Sequence, residues 1–128
     1  MSVFTDNELA YLRGGGNGAP RLARIATVGR DGTPHVVPVG WSYNAEQDAI
    51  EVRGRELEKT KKFRDAERSG RAAIVIDDLA STDPWRPRAI EVRGAAEAVR
   101  EPKPLIRIRP ERIVSFGLGV ERAARSVA

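Results

Sequence analysis

The 128-residue chain contains no cysteine, which excludes disulfides, thiolate catalysis and iron–sulfur ligation. It contains one histidine, so a zinc or haem-iron centre would need unusual ligands, and no metal site is expected. Aromatic residues make up 5% of the chain. That is too few for a platform that stacks nucleobases, and no nucleic-acid partner is expected. There is no long apolar run, and the start, Met1-Ser2-Val3-Phe4-Thr5-Asp6, has neither the basic nor the apolar region of a signal peptide. These absences lead to the expectation of a soluble cytoplasmic protein with no membrane partner. Walker, Gly-x-Gly-x-x-Gly and Gly-x-Ser-x-Gly patterns are missing, and no Ser-His-Asp arrangement can be read. The run Gly14-Gly15-Gly16-Asn17-Gly18 is followed by no Lys-Ser or Lys-Thr and preceded by no strand, so it is read as a surface loop.

What is present is 41% hydrophobic and 31% charged residues with a net charge of +4. That composition belongs to one globular domain spanning residues 1–128. The basic balance favours an anionic partner.

Thr5-Asp6-Asn7-Glu8 forms a capping box, with Phe4 and Leu9 at the staple positions, and opens a short helix carrying Leu9 and Leu12 on one side. From Leu22 the pattern turns to strands: Leu22 to Val28, Pro34 to Tyr43 after an Asp31-Gly32 turn, and Ala49 to Arg53. In the second of these, Val37, Val39, Trp41 and Tyr43 share a face. Glu56 to Arg68 reads as a helix with Glu58 and Lys62 at helical spacing and a thin apolar face of Leu57, Phe63 and Ala66, stopped by Gly70. Ala72 to Ile76, Arg88 to Val99 and Leu105 to Phe116 read as strands, Asp77 to Pro87 as a polar loop, and the tail after Gly119 as frayed. The sum is a mainly β (α+β) fold: a six-stranded antiparallel barrel with a short N-terminal helix and one crossing helix. A barrel so small encloses little volume, so a sizeable ligand must sit outside it or between subunits.

Four constellations invite chemistry. Thr60-Lys61-Lys62-Phe63-Arg64-Asp65 places the cations 61, 62 and 64 and a hydroxyl within one turn, either a phosphate cradle or a solvated basic face. Arg30-Asp31-Gly32-Thr33-Pro34-His35-Val36-Val37-Pro38-Val39 carries two prolines that prevent pairing throughout. Its free backbone suits either the edge of a flat heterocycle or a bulged edge strand. Asp83-Pro84-Trp85-Arg86-Pro87-Arg88 exposes a Trp that could cover a ring, anchor a dimer or fold onto its own core. Arg93, Arg107, Arg109 and Arg112 form a basic set that reads by default as a solvated face, and Asp77-Asp78 reads as a solvated turn.

Taken in order, Leu22–Val28, Asp31–Val39, Thr60–Asp65, Trp85–Arg88 and Glu91-Val92-Arg93-Gly94 resemble the pyridoxamine-phosphate-oxidase-like split barrels. Among these the chain is most similar to the actinobacterial-type enzymes that use the deazaflavin coenzyme F-420. The resemblance runs from about Phe4 to Gly117. It implies a split β-barrel homodimer with the cofactor at the interface, F-420 or alternatively FMN, and a small-molecule substrate. The Lys-x-Arg-Asn segment that holds the cofactor phosphate in such proteins reads here Lys62-Phe63-Arg64-Asp65, an Asp in place of Asn. Thr60, Lys61, Lys62 and Arg64 are thereby implied as phosphate contacts, and Thr27, Val28, His35, Pro38 and Val39 as ring contacts. Trp85 and Arg86 are implied to reach the partner subunit's site. The connection from Ala98 to Pro104 is shorter than relatives often have. The implied activity is hydride transfer to or from an unsaturated or heteroaromatic compound, with no catalytic side chain required. A non-catalytic flavin- or haem-binding module is the alternative of another class.

Overall fold

A computed structural model describes residues 1–14, 21–119 and 121–128. Two helices, α1 (Asp6–Leu12) and α2 (Lys61–Ser69), accompany seven strands. The strands are β1 (Leu22–Val28), β2 (Pro34–Asn44), β3 (Ala49–Arg53), β4 (Arg71–Thr82), β5 (Trp85–Val99), β6 (Leu105–Phe116) and β7 (Ala123–Ser126). Their order is β3-β2-β1-β4-β5-β6-β7, antiparallel throughout. Pairing of Ile50 with Ile108 and Val52 with Ile106 joins β3 to β6 and closes the first six strands into a barrel. The six-stranded antiparallel barrel expected from the sequence is the fold.

Alternation explains the wall. In β1, Ala23, Ile25 and Thr27 are buried while Leu22, Arg24, Ala26 and Val28 face out. The interior is filled by β-branched side chains from β1, β3, β4, β5 and β6, among them Ile25, Ile50, Val52, Ile74, Ile90, Val92, Ile106 and Ile113. Their stiff branched stems suit a pleated, crowded surface. Leu57 and Phe63, from the connection between β3 and β4, complete this core. At Gly94 the β5–β6 register shifts, and a Cβ there would lie 1.8 Å from the carbonyl oxygen of Arg109. Only glycine permits that approach of two backbones.

Four expectations are corrected. The helix read as Glu56 to Arg68 is a 3₁₀ turn at Leu57–Lys59 followed by α2, because Thr60 intervenes as an extended N-cap. Its hydroxyl accepts from the Phe63 N–H at 3.3 Å and donates to the Leu57 carbonyl at 2.6 Å. Glu58 and Lys62 therefore lie on different elements, and Glu56 pairs with Lys59 instead. Second, the stretch read as a polar loop, Asp77 to Pro87, is mostly strand: β4 continues to Thr82, and β5 starts at Trp85. Third, Asp77 and Asp78 are consequently strand residues. Asp77 pairs with Arg24, and Asp78 with Arg88 at 2.6 Å. These ion pairs stand where apolar alternation was sought.

Fourth, the tail is not frayed, since β7 pairs with β6 from Arg112 to Ser115. Arg125 of β7 donates to the buried Glu8 carboxylate of α1 at 2.7 and 3.0 Å. Within β2, Val39, Trp41 and Tyr43 pack on the core as expected, but Val37 is 38% exposed because β3 pairs only as far as Gly40. The glycine run read as a loop falls on residues 15–20 apart from Gly14, outside the described residues.

Candidate functional site

The site is built where β1 turns into β2 against one face of α2. Gly29 and Thr33 close the turn by an N–H to carbonyl bond of 3.0 Å, and the Asp31 carboxylate accepts from the Thr33 N–H at 2.9 Å. That backbone bond holds the Asp31 carboxyl below its ordinary value. Burial of Phe63 and Ala66 fixes the roll of α2. Lys61, Arg64, Asp65 and Arg68, at positions i, i+3, i+4 and i+7, consequently share one face.

Between these elements lies a pocket of about 590 Å³ lined by Arg30, Asp31, Thr33, His35, Lys61, Arg64, Asp65 and Arg68. Four cationic side chains meet two carboxylates, an excess of two positive charges. Asp65 is the buried member, its side chain 5% exposed. It accepts from the Thr27 hydroxyl at 3.1 Å and lies 3.5 Å from the Lys61 ammonium and 3.8 Å from the Arg68 guanidinium. Arg68 also donates to the Val28 carbonyl. Arg64 donates to the Lys59 carbonyl at 3.0 Å, and neither Arg64 nor Arg30 has a carboxylate partner among the described residues.

Gly29 shapes the floor. A Cβ at that position would stand 3.2 Å from His35 Nε2, 3.4 Å from Lys61 Nζ and 3.5 Å from Asp31 Oδ1. The missing side chain leaves a polar cradle into which three ionisable groups converge. Beside it, β2 pairs with β1 from Pro34 to Val39 but meets β3 only from Gly40 onward. Two prolines, 34 and 38, occupy this singly paired half, where the side no strand covers tolerates their missing donors. The expectation that β2 is not paired throughout thus holds for one of its two edges.

Of the residues singled out from sequence, the structure brings His35, Lys61 and Arg64 together in the pocket. Thr60 spends its hydroxyl on the helix cap, and Lys62 stands on the neighbouring face of α2, outside the lining. Thr27 points inward to Asp65, while Val28 points outward. Pro38 is exposed, and Val39 packs on the core. Trp85 and Arg86 stand on the β4–β5 hairpin, Trp85 69% exposed, and neither lines the pocket. Arg30, Asp31, Thr33, Asp65 and Arg68 join the lining without having been singled out as ligand contacts. The helical spacing of 61, 64, 65 and 68 was the signal available for the two helix positions among them, Asp65 and Arg68. Three arginines of the basic set are structural: Arg107 donates to the buried Glu51 at 2.8 Å, Arg109 pairs with Glu97, and Arg93 with Glu91. Among the described residues no cluster suited to a metal ion occurs, and no helix is long and apolar enough to cross a membrane.

Comparison with known proteins gives concordant results. The family described as pyridoxamine 5'-phosphate oxidase matches residues 16–117. A 5a,11a-dehydrotetracycline/5a,11a-dehydrooxytetracycline reductase of Streptomyces rimosus subsp. rimosus is 40% identical over 124 residues, covering 90% of this chain and 84% of that protein. Among solved structures, an FAD binding protein from Mycobacterium smegmatis superposes with a TM-score of 0.64 at 21% identity, covering 91% of this chain and 97% of that one. An F420 reductase superposes with a TM-score of 0.57 at 21% identity, covering 73% and 89%. At these identities the two structures share the fold.

Proposed function

The chain belongs to the pyridoxamine 5'-phosphate oxidase family of oxidoreductases, and from that premise we propose that it uses the deazaflavin coenzyme F-420 to reduce a small unsaturated or heteroaromatic compound. The observation that carries this reading is the cationic pocket around Gly29. The coenzyme has a phosphodiester and an acidic glutamyl tail. Arg30, Lys61, Arg64 and Arg68 supply charge-assisted donors for the phosphodiester, and the absent side chain of Gly29 leaves it room. When bound, the coenzyme supplies the hydride. The chain's own part is to hold the phosphodiester, to present the open edge of β2 and to exclude water from the ring.

No side chain is assigned a proton transfer. The Streptomyces relative is named for dehydro-tetracyclines, which supports a fused-ring substrate with a reducible double bond. The reading includes a homodimer. The outer faces of β1, β2 and β4 present Leu22, Val28, Val36 and Leu79 to solvent, with Trp85 on the adjoining hairpin. These apolar side chains, divided by the Arg24–Asp77 pair that bridges β1 and β4, suit a contact with a second copy.

The test is a fluorescence titration of the purified protein with coenzyme F-420 and, separately, FMN. Micromolar or tighter binding that favours the deazaflavin is expected. Tight binding of FMN alone moves the protein to a flavin-dependent reaction, and binding of neither overturns the reading.

A further inference from the structure

We propose that Asp65 sets which kind of phosphate the pocket accepts, favouring a singly charged phosphodiester over a doubly charged phosphomonoester; this rests on the cofactor reading above. A pocket built to grip a phosphomonoester dianion gains from every cation it can aim inward, and a carboxylate among them is a liability. Here the carboxylate is placed at the centre. Asp65 is the most buried charged side chain of the lining, and both Lys61 and Arg68 lie within 3.8 Å of it. Two of the four cations are thereby partly neutralised before any ligand arrives. The remaining two, Arg30 and Arg64, are exposed and have no carboxylate partner among the described residues.

The Thr27 hydroxyl fixes one Asp65 oxygen at 3.1 Å, so the carboxylate cannot swing out of the way. Asp31, His35 and the four cations are the other charged or titratable groups facing this space. The negative charge of Asp65 acts on a bound anion in proportion to the anion's own charge. At a partly screened distance one unit charge is worth roughly tenfold in affinity per ligand charge. A phosphomonoester dianion is therefore penalised about tenfold more than a phosphodiester monoanion.

The experiment compares wild type, Asp65→Asn and Lys61→Met by titration with FMN, coenzyme F-420 and riboflavin at about pH 8, where a phosphomonoester is a dianion. Riboflavin carries the same ring system as FMN and no phosphate. Asp65→Asn is expected to tighten FMN about tenfold more than F-420 and to leave riboflavin unchanged. Lys61→Met removes a cation on the exposed face of α2 and is expected to move the FMN to F-420 ratio the other way. A parallel shift of all three ligands in Asp65→Asn shows a structural role and overturns the proposal. So does an unchanged ratio in both variants. If Asp65→Asn fails to fold, Asp65→Ser removes the same charge from a smaller side chain and takes its place, an unchanged ratio overturning the proposal. Failure of wild type to bind either FMN or F-420 overturns the cofactor reading and this proposal together, whereas binding of both with an unmoved ratio overturns this one only.

Discussion

Gly29 decides how much of the pocket a ligand can use. A methyl group there would press on His35 Nε2 at 3.2 Å and on Lys61 Nζ at 3.4 Å, both ends of side chains that can shift by a few tenths of an ångström. Gly29→Ala is therefore expected to fold, with the melting temperature changed by less than about 5 °C, yet to weaken F-420 binding about tenfold by displacing the Lys61 ammonium. Unchanged affinity would show that the ligand does not enter the cradle. Lys61 and Lys62 separate the same way. Lys61→Ala removes a charged donor from the lining and is expected to cost about 1.5–3 kcal/mol of cofactor binding. Lys62→Ala, outside the lining, is expected to cost clearly less, and parallel titrations of the two variants check it. Adjacent lysines cannot be told apart by composition. Their faces are set by which neighbours the core claims, here Phe63 and Ala66, and the sequence offers that only through the spacing of 61, 64, 65 and 68. The Asp65–Thr27 contact was less legible still, because it joins residues 38 apart.

Whole elements were read well where hydrophobic alternation set them: β1, β3 and β6 have the boundaries their patterns suggest. The extensions of β4 and β5 were missed because ion pairs replace apolar contacts there. Arg24, Arg88 and Arg21 satisfy Asp77 and Asp78, so a strand reads as a loop. β7 escaped notice for a related reason. Its anchor is the buried pair of Glu8 and Arg125, 117 residues apart. Burial pushes the Glu8 carboxyl up, but bonds from Arg125, Ser115 and the Thr5 N–H outweigh it and hold it below its ordinary value. A lowered native value means stability that is present above the unfolded value and lost as pH falls through the native one. Glu8→Gln is expected to destabilise the protein by about 2 kcal/mol near neutrality. That difference should shrink as acid carries the pH down through the lowered native value of Glu8. Urea melts of both proteins across that range measure it, and a gap independent of pH would refute the charge assignment. Gly94→Ala tests the β5–β6 crossing. With a backbone oxygen 1.8 Å from the new methyl, the loss is expected to exceed about 3 kcal/mol, since backbone rather than a rotamer must move.

At the scale of the molecule, the barrel's interior is full and its outside is unevenly finished. Most of the outer wall is ion-paired, as in Arg107–Glu51, Arg109–Glu97 and Arg93–Glu91. One sector is not: the strand pairs Ala26–Val36, Val28–Pro34 and Ala26–Ala73 place small and branched apolar side chains side by side across β2, β1 and β4. Val36 is 67% exposed at its centre, and this sector adjoins the turn that carries Gly29. A second copy of the chain is the expected occupant, because β2 carries both this sector and the pocket residue His35, and a ring bound there needs a wall to exclude water. Wild-type protein is accordingly expected to elute with twice the 14.0 kDa chain mass in light scattering. Val36→Arg places an unpaired cation in the middle of the apolar sector and is expected to halve that mass, since a buried lone charge costs several kcal/mol. If the cofactor sits between the two copies, its affinity must fall in the same variant, and Trp85→Ala must weaken binding while leaving the melting temperature almost unchanged. A Val36→Arg monomer that still binds the cofactor at wild-type strength would show that one chain makes a complete site, and the dimer would then be architecture without a part in binding.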